Sequence, residues 1–506
     1  MPRFRLLILT VSIFCFSAFP ALASDCTAPV LHYQLKGFYP GGWFGQTVAN
    51  VGDLNGDNVP DFMVSAPLAK VGTLSQAGSV YAYSGLDGSL LYQLNGSIVA
   101  EHFGGSYSGS NHAIAGIGDI NGDGRSDFVV GAPDANYAAV FSGADGDSLY
   151  KIWGDSTTNS LGHTVAGTED INGDQIPDFI IGSSRRVFVF SGADGTVLFE
   201  KTGAPGHTTF GWSIAGPGDI NGDNKPDLLI GEYFALNPDI SRNTGATFAY
   251  SGLDSSLLYQ RNGSNSHDLM GWSVAGCGDL DGDGNNDFIT SAPSFDNYYC
   301  EDFGPSFAYV FSGATGDLLF EKTAGPSDAF GLSVDGGGDV NGDGNFDFIV
   351  GAPGEFSTSR CMEAEGAKKR GAYVYSGTDG ELIFQITNPL DFPYYHLGWS
   401  VAFAGDVNGD GKTDVILGDP GLLVASHQDS GAAYVYVSKT VPKGDLNFDS
   451  TLTIADITNL LNVVFIDSSS AISPCTADLN CDGASSPADI ILLLNRVFLQ
   501  TALPCS

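Results

Sequence analysis

The sequence predicts an all-β fold, a seven-bladed β-propeller, followed by a small α-helical module. Three observations support this prediction. A nine-residue aspartate-rich motif occurs seven times between Asp53 and Asp414. Short runs of Val, Ile, Phe and Tyr surround each copy, and Gly, Pro, Asp and Ser clusters bound these runs without a helical period. After residue 443 the pattern changes to two loops that each run into an amphipathic helix.

The first residues have the composition of a secretory signal peptide. Arg3 and Arg5 precede an apolar run at 6–19, and the small-residue sequence Ala21-Leu22-Ala23 follows it. We expect cleavage after Ala23. Because no later stretch approaches the ~20 apolar residues of a spanning helix, we expect a secreted chain with no membrane span. The expected organisation is a signal peptide at 1–23, the propeller at 24–438, a linker at 439–443 and the helical module at 444–506.

The charge of the chain limits the kinds of partner that it can bind. The formal net charge is -37, and 48 of the 58 acidic residues are Asp rather than Glu. Short aspartate side chains suit turns and loops that hold hard cations. An acidic chain with 21 Lys and Arg residues is unsuited to nucleic acid or to an anionic membrane. We therefore expect neither as a partner.

Each repeat corresponds to one four-stranded blade. A "FGWSIAG"-like segment precedes the motif, an apolar strand ending in "GAP" or a variant follows it, and segments like "YVFSG" and "LLYQL" complete the unit. Four short strands per repeat are typical of a propeller blade. The seventh repeat lacks its last strand, whereas "VLHYQLKG" near the start of the mature chain resembles "LLYQLNG" at Leu90. We expect residues 30–37 to supply the missing outer strand of blade seven.

The aspartate motif has the ligand pattern of a calcium loop. Positions 1, 3, 5 and 9 carry Asp, Asn or Asp, Asp, and Asp in every copy, and alternate residues of a tight turn can converge on one point. A single copy is also compatible with an ordinary Asp-rich turn, but seven aligned copies favour a cation. Ca²⁺ accepts six to eight oxygen ligands, whereas Mg²⁺ keeps several waters. The predicted ligands are Asp53, Asn55, Asp57, Asp61, Asp119, Asn121, Asp123, Asp127, Asp170, Asn172, Asp174, Asp178, Asp219, Asn221, Asp223, Asp227, Asp279, Asp281, Asp283, Asp287, Asp339, Asn341, Asp343, Asp347, Asp406, Asn408, Asp410 and Asp414.

Together, the "FG" segment, the aspartate loop and the "GAP" segment resemble the FG-GAP repeats of integrin alpha chains and related bacterial proteins. The resemblance covers residues 30–437. It implies a seven-bladed propeller with calcium in the loops that join the first two strands of a blade. It also implies that partners bind the opposite face, and it identifies no ligand.

The C-terminal segment repeats one unit twice. "GDLNFDSTLTIADITNLLNVVF" and "ADLNCDGASSPADIILLLNRVF" each combine a twelve-residue loop with an amphipathic helix. Leu460, Leu461, Val464 and Phe465, with their counterparts Leu493, Leu494, Val497 and Phe498, are expected to form a small helical core. The predicted calcium ligands are Asp445, Asn447, Asp449, Asp456, Asp478, Asn480, Asp482 and Asp489.

This duplicated loop and helix resembles a dockerin, the EF-hand-like module by which secreted proteins attach to cohesin domains. The resemblance covers residues 444–500 and implies a cohesin domain as a candidate partner. Loop position 6, normally Gly, is Ser450 in the first copy, and a non-glycine residue there weakens a calcium loop. The pair that many cellulosomal dockerins fill with Ser and Thr is here Ile454-Ala455 and Pro487-Ala488. The class of docking partner is therefore open.

The sequence holds no recognisable catalytic motif. No G-x-S-x-G, H-E-x-x-H, P-loop or C-x-x-C string occurs, and the "GWS" element recurs between blades as a structural turn would. Two hypotheses stand. The chain is an adhesion or recognition protein that binds an extracellular protein or glycan, or it is a polysaccharide-processing propeller enzyme of the glycoside hydrolase or lyase type, borne by its dockerin-like module. The first, without enzymatic activity, is preferred.

Further predictions concern the loops opposite the calcium motifs and the cysteines of the propeller. The long loops between the second and third strands of blades four to seven carry Tyr233, Phe234, Phe295 and a basic cluster, and we predict partner binding by Tyr298, Tyr299, Lys368, Lys369 and Arg370. Cys300 and Cys361 lie in such loops of blades five and six. A disulfide between them is predicted for an oxidising compartment, and Cys277, in an inner strand, is predicted to be a buried free thiol.

Overall fold

The structure, a computed structural model, describes residues 26–106, 112–204, 208–238, 242–265, 268–293, 305–324, 329–354, 371–387, 396–421, 430–446, 452–465, 477, 479 and 485–499. These residues belong to two compact units. The larger unit spans Thr27–Thr440, and the smaller one follows from Val441.

The larger unit contains seven antiparallel four-stranded sheets, which are the seven predicted blades. Blade one is β2 to β5, blade two β6 to β9, blade three β10 to β13, blade four β14, β15, β18 and β19, blade five β20 to β23, and blade six β24 to β27; blade seven is β28 to β30 with β1. A two-stranded ribbon, β16 and β17, and a 3₁₀ turn at Pro133–Ala135 complete the described elements. The strands are β1 Cys26–Lys36, β2 Val48–Gly52, β3 Asp61–Ala66, β4 Ser79–Tyr83, β5 Leu90–Asn95, β6 Ile114–Gly118, β7 Asp127–Ala132, β8 Tyr137–Phe141, β9 Ser148–Trp153, β10 Thr164–Thr168, β11 Asp178–Ser183, β12 Arg186–Phe190, β13 Val197–Thr202, β14 Ser213–Gly218, β15 Asp227–Glu232, β16 Leu236–Asn237, β17 Arg242–Asn243, β18 Ala246–Tyr250, β19 Leu257–Asn262, β20 Val274–Gly278, β21 Asp287–Ala292, β22 Ser306–Phe311, β23 Leu318–Ala324, β24 Val334–Gly338, β25 Asp347–Ala352, β26 Gly371–Ser376, β27 Leu382–Thr387, β28 Val401–Gly405, β29 Asp414–Asp419 and β30 Ala432–Val441.

The core of the propeller lies between neighbouring blades. Every residue of the second strand of each blade is buried, as in β3 and β11, which explains why these strands are continuous apolar runs. The outer strands, such as β13, alternate between exposed and half-buried residues because only one face packs on a neighbour. Large side chains from adjacent blades share each interface, as Phe62 of blade one does with Ile416 of blade seven.

The ring closes through the N-terminal strand, as predicted. β1 is the outer strand of blade seven, beside β30, in a sheet ordered β1, β30, β29, β28. The strand is longer than the 30–37 segment that the sequence suggested, since it begins at Cys26. Lys36 is followed by Gly37, whose N–H donates to the carbonyl of Gly431 at 2.9 Å. Residues from both ends of the propeller therefore share one sheet.

The recurring "GWS" element is structural, in agreement with the sequence analysis. Its serine hydroxyl accepts a hydrogen bond from a backbone N–H of the next blade's inner strand. Ser273 accepts from Val334 at 3.1 Å, and Ser333 accepts from Val401 at 3.2 Å. Ser400 of blade seven accepts from Val48 of blade one at 3.1 Å, so the same bond crosses the point where the ring closes. These hydroxyls therefore link the inner strands of neighbouring blades, which belong to separate sheets.

Two cysteines lie among the described residues. Cys277 is a buried free thiol, as predicted, and burial raises the pKa of its thiol. Cys26 forms a disulfide. The predicted Cys300–Cys361 pair lies outside the described residues and stays a prediction.

The smaller unit contains two described helices, α1 at Ile454–Phe465 and α2 at Pro487–Leu499. Both begin with the same capping box. The Thr453 hydroxyl accepts from the N–H of Ala455 at 3.2 Å, while the carboxylate of Asp456 accepts from the N–H of Thr453 at 2.7 Å. Ser486 and Asp489 repeat these contacts at α2. The duplication seen in the sequence is thus a duplication of local structure.

The helical core is narrower than the sequence pattern predicted. Leu460 and Leu493 are fully buried, but Leu461 and Leu494 are 39% and 37% exposed. The prediction that all four pack inside is therefore wrong for the second residue of each pair. Adjacent residues on a helix point about 100° apart, so only one of the two can face the partner helix. Among the described helices, neither is long and apolar enough to cross a membrane.

Candidate metal centres

The aspartate motifs form the turns between the first and second strands of the blades. Motif 119–127, for example, joins β6 to β7, and position 9 of the motif is the first residue of β7. A register shift ends the first strand in every blade except blade three, and in blade two the strand ends at Gly118, whose φ of 73° favours glycine. Because all seven motifs occupy the same connection, the seven loops lie on one face of the propeller.

In blade five, three carboxylates already converge. Ligand atoms of Asp279, Asp281 and Asp283, positions 1, 3 and 5, all lie within 4.8 Å of one another. Asp281 and Asp283 are exposed and Asp279 is half-buried, so the group opens to solvent. Three carboxylates at this separation repel one another in the absence of a cation. These three residues thus form an acidic cluster in the blade-five loop, and the predicted ligand set stays a prediction.

Backbone N–H groups of each loop hold the position-1 carboxylate in place. In blade four, Asp219 Oδ1 accepts from the N–H groups of Gly222 and Asp223 at 2.7 and 3.2 Å, and its Oδ2 accepts from Asn224 at 2.7 Å. The amide oxygen of Asn221, at position 3, accepts from Asp223 at 2.9 Å. Similar position-1 bonds occur in the other loops, as at Asp119, Asp279 and Asp406. The loop conformation is thus fixed by its own side chains.

Position 9 of every loop is a buried backbone clamp. In blade four, Asp227 accepts from the N–H of Ile220 in its own loop and from the N–H of Gly252 beyond the third strand, both at 2.9 Å. The same two bonds recur in every blade, at Asp61, Asp127, Asp178, Asp287, Asp347 and Asp414. All seven carboxylates are fully buried. This residue therefore ties the loop to the far end of the blade, a role that the motif alone did not reveal.

Burial raises the pKa of these position-9 carboxylates above the ordinary value of an aspartate. Loss of solvent raises the pKa of Asp347 and of Asp414 to about 7, although backbone N–H donors oppose the shift. The carboxylates of Asp343 and Asp339 raise the pKa of Asp347 further. Asp61, Asp227 and Asp287 reach about 6 for the same first cause, burial. A cation between positions 1, 5 and 9 would favour the charged forms.

The donor set fits calcium. Each loop offers carboxylate and amide oxygens at positions 1, 3 and 5, within an acidic environment that has raised carboxylate pKa values, and the hard cation Ca²⁺ takes such ligands. A carboxylate oxygen has two lone pairs, so the position-9 oxygens keep capacity for a cation beside their N–H donors. A bound Ca²⁺ would supply charge compensation and a fixed loop conformation.

The C-terminal loops are described only in part. Asp445, Asp456 and Asp489 are fully buried. Asp456 and Asp489 each accept from a backbone N–H at the start of their loop, Leu446 or Leu479, at 2.8 Å. They are the counterparts of position 9 in the propeller loops, since they also clamp a loop to the element that follows. The predicted ligands Asn447, Asp449, Asp478, Asn480 and Asp482 lie outside the described residues.

An aromatic cluster lies at the opposite face, where first strands begin and second strands end. Trp212 and Trp272 directly precede the serines that lead into β14 and β20, and Tyr233 follows β15. The Tyr233 ring lies 4.6 Å from that of Trp212 and 5.0 Å from that of Trp272, centroid to centroid. Phe234, beside it, is 42% exposed. The predicted residues Tyr298, Tyr299, Lys368, Lys369 and Arg370 lie outside the described residues.

Known sequence families match the same repeats. The FG-GAP repeat matches residues 44–83, 112–148, 270–311, 330–374 and 397–436. The FG-GAP-like repeat matches residues 170–230. The propeller is built of FG-GAP repeats. Blades one, two and five to seven carry the first type, and the second type spans the aspartate loops of blades three and four.

Individual relatives match parts of this chain. Integrin alpha-5 of Xenopus laevis is 30% identical over 275 residues, which cover 51% of this chain and 21% of the integrin. Integrin alpha-V of Gallus gallus is 30% identical over 267 residues, 50% of this chain and 20% of the integrin. Phosphatidylinositol-glycan-specific phospholipase D of Bos taurus is 34% identical over 148 residues, 28% of this chain and 17% of the enzyme. The matches therefore span about a fifth of each relative.

Sequence reasoning missed Trp212 and Trp272 as members of the aromatic cluster. Both belong to the "GWS" element, which was interpreted only as a turn. Blades two and three carry His112 and His163 at the equivalent position, and the imidazole of His163 lies 4.6 Å from the Trp212 ring. The sequence carried no clear signal, because the residues at the same position in other blades are buried, whereas Trp212 and Trp272 are half-buried. The buried residues at this position are Gln46, Leu332 and Trp399.

Proposed function

We propose that this chain is a secreted calcium-binding FG-GAP propeller that recognises an extracellular protein or glycan and docks through its dockerin-like C-terminal module. The observation that carries the calcium proposal is the arrangement of oxygen atoms that the seven loops share. Each combines a position-1 carboxylate held by loop N–H groups with a buried position-9 carboxylate. In blade five, the three exposed-end carboxylates lie within 4.8 Å of one another. Calcium relieves the repulsion that this arrangement creates.

Calcium would contribute to the free energy of folding. A site at ten times its dissociation constant adds about 1.4 kcal/mol, so several filled loops add several kcal/mol together. The formal charge of -37 makes the metal-free chain self-repulsive, and each bound Ca²⁺ offsets two of those charges. Chelation should therefore lower the melting temperature.

The test is a thermal melt of the mature full-length chain at low salt with calcium, with chelator, and with chelator followed by excess Mg²⁺. We expect chelation to lower the melting temperature by about 5–10 °C, since several kcal/mol are lost. Mg²⁺ should restore little of it because Mg²⁺ keeps its waters. A melting temperature that chelation leaves within about 1 °C contradicts calcium binding.

Partner recognition is proposed for the face opposite the calcium loops. Loops there vary between blades on a rigid frame, and the half-exposed rings of Trp212, Tyr233 and Trp272 form a continuous aromatic surface. The proposed partner-binding residues Tyr298, Tyr299, Lys368, Lys369 and Arg370 belong to neighbouring loops of blades five and six. Aromatic rings with adjacent cations suit sugars and acidic groups.

A glycan array and a pull-down of extracellular proteins with the mature chain test this proposal. Alanine at Tyr298 and Tyr299 and serine at 368–370 should abolish capture but leave the calcium-dependent melt unchanged. Trp153→Ala is the matched control, because Trp153 is 62% exposed on the outer strand of blade two. Equal loss of capture in the Trp153 variant would place recognition elsewhere.

Attachment through residues 444–506 is the remaining part of the proposal. The two described helices carry the same capping box and the same buried aspartate, which agrees with a duplicated calcium loop and helix. We propose a cohesin domain as the partner, with cleavage of residues 1–23 upon secretion. A binding assay of the mature chain against a panel of cohesins, with and without calcium, tests it; calcium-independent binding or none contradicts dockerin-type docking.

Recognition rather than catalysis is proposed despite the phospholipase among the relatives. That match covers 17% of the enzyme and 28% of this chain. The integrin matches, by contrast, cover about half of this chain. The phospholipase match therefore supports catalysis less than the integrin matches support recognition.

A further inference from the structure

The aspartate loops are joined to one another around the ring by backbone hydrogen bonds. The N–H of Ser126, position 8 of the blade-two loop, donates to the carbonyl of Asp53, position 1 of the blade-one loop, at 3.1 Å. Asn286 of blade five donates in the same way to Asp219 of blade four at 2.9 Å. Thr413 of blade seven donates to Asp339 of blade six at 2.7 Å. In each case one blade holds the first ligand residue of the blade before it.

A lysine takes over this contact where position 8 is proline. Pro226 of blade four has no N–H to donate. The neighbouring Lys225 instead reaches the carbonyl of Asp170 in blade three with its Nζ, at 3.4 Å. The carbonyl of position 1 is therefore held from the next blade in four of the seven loops, those of blades one, three, four and six.

The other three loops lack this bond among the described residues. The position-8 residues that follow them are Pro177 for blade two, Phe346 for blade five and Pro60 for blade seven. Pro177 and Pro60 have no N–H, and the N–H of Phe346 forms no bond with Asp279. The side chains still pack across the interface: a Cβ at Gly405 would lie 2.6 Å from Cγ of Pro60, and one at Gly278 would lie 2.1 Å from Cδ2 of Phe346. Only the hydrogen bond is missing.

We infer that Ser126, Lys225, Asn286 and Thr413 are positioning residues for the metal loop of the preceding blade, and that the loops fall into a braced and an unbraced class. The inference rests on the proposed calcium binding and goes beyond it. The position-1 aspartate supplies a ligand through its side chain while its carbonyl is fixed from outside the loop. A fixed carbonyl leaves less conformational freedom to lose when the cation binds. Braced loops therefore fill at lower calcium concentration than otherwise equal unbraced loops.

Blade five adds an internal check on this reasoning. Its loop is unbraced, yet it is the one with Asp281 where the other six have Asn. The additional carboxylate raises calcium affinity by charge. Blade five thus compensates by charge for the brace that it lacks, whereas the unbraced loops of blades two and seven have Asn121 and Asn408 at that position. Those two loops should be the weakest of the seven.

The test exchanges the residues at position 8. Ser126→Pro removes the brace of blade one, and proline is already native at this position in blades one, three and four. Pro60→Ser adds the missing N–H opposite Asp406 of blade seven. Hydrogen exchange with mass-spectrometric peptide resolution, on the mature full-length chain at graded calcium concentrations, gives the calcium midpoint of amide protection for each loop separately.

For Ser126→Pro, we expect the midpoint of loop 53–61 to rise about three- to tenfold, the equivalent of one lost hydrogen bond. Loop 119–127, which contains the substitution, should stay within about twofold because its own first carbonyl is unaffected. For Pro60→Ser, the midpoint of loop 406–414 should fall by a similar factor. Asn286→Pro serves as a second removal, with loop 219–227 as its readout; it also removes the side-chain amide bond to the carbonyl of Pro217, so the larger shift is expected here.

Different failures of this experiment have different meanings. If calcium changes the exchange of none of the loops in the wild-type chain, the calcium proposal itself fails. If calcium protects the loops but Ser126→Pro and Asn286→Pro leave loops 53–61 and 219–227 unchanged, the brace is overturned and calcium binding stands. A midpoint shift confined to the loop that carries the substitution also overturns the brace, because it shows a local effect only.

Discussion

The two ends of each aspartate loop use the same residue type for opposite purposes. Position 1 is half-buried, positions 3 and 5 are half-buried or exposed, and in blade five the three carboxylates lie within 4.8 Å of one another. Position 9 is fully buried and bonds to backbone N–H groups in its own loop and beyond the third strand. The exposed end is therefore built for a cation, while the buried end holds the blade together. The sequence motif shows aspartate at both ends of the loop, and only the burial of position 9 distinguishes the two roles.

Removal of a buried-end carboxylate should produce the largest effect. Asp227→Ala leaves the N–H groups of Ile220 and Gly252 buried without acceptors, which costs about 2–4 kcal/mol of unfolding free energy. Most of this loss should persist in chelator, since the clamp is part of the blade itself. Urea unfolding followed by circular dichroism measures it.

Asp227→Asn is the matched control for this prediction. The amide keeps one oxygen acceptor and removes a charge whose pKa burial raises to about 6, so its cost should be clearly smaller, about 1 kcal/mol. If Asp227→Ala destabilises the chain only when calcium is present, the buried end acts mainly as a metal ligand and the contrast between the two ends is wrong.

Substitution at the exposed end should show the complementary behaviour. Asp279→Ala removes a carboxylate from the blade-five group and should lower stability by about 1–2 kcal/mol in saturating calcium, the linkage contribution of one site. In chelator the same change should cost less, because the relief of repulsion from Asp281 and Asp283 offsets part of the loss of the acceptor that holds the loop N–H groups. Parallel melts of the variant and wild type in both buffers test this. A full loss that persists in chelator would mean that the exposed end is structural as well.

Sequence patterns predicted this frame well because the frame is repetitive. Seven aligned motifs fixed the number of blades, and the unpaired "VLHYQLKG" segment identified the closing strand that β1 supplies. The sequence could not show which aspartate of a loop is the buried clamp. Asp219 and Asp227 are the same residue type in the same motif, and only the fold shows that Asp227 also bonds to Gly252 beyond the third strand. Trp212 was missed for a related reason: its neighbour Ser213 explains the turn, so the indole needed the fold to place it beside Tyr233. Leu461 shows the limit of a periodic pattern, because two adjacent leucines cannot both face one partner helix.

Asp335 is a third kind of carboxylate, and it tests whether burial alone sets the acidity of the position-9 group. It lies outside any metal loop, on the inner strand β24, at the wall of a central cavity of about 390 Å³. It accepts hydrogen bonds from Gly336 and from Phe403 of the next blade, both at 2.9 Å. Burial raises its pKa from 3.8 to about 6, although both N–H donors oppose the shift. His112 is the one other titratable residue that lines the described cavity, and burial lowers the pKa of its imidazole to about 4.

The pH dependence of an Asp335→Ala variant gives the smallest of the expected effects. Since the folded-state pKa of Asp335 lies above the unfolded value, the folded chain binds the additional proton between pH 3.8 and about 6, and wild-type stability falls as pH rises through that window. Alanine, native at this position in other blades such as Ala275, removes this dependence together with the bond to Phe403. The difference in unfolding free energy, variant minus wild type, should therefore increase by about 1–2 kcal/mol from pH 4.5 to 7.5, after allowance for partial exposure at the cavity wall. The lost hydrogen bond is common to both pH values and cancels. Asp155→Ala is the control, because hydrogen bonds from Thr157 and Thr158 lower the pKa of Asp155 and place its titration below this range, so its difference should stay flat. A flat difference for Asp335→Ala as well would show that the wall carboxylate is solvated, and that the raised pKa values of the position-9 residues need their neighbouring carboxylates as well as burial.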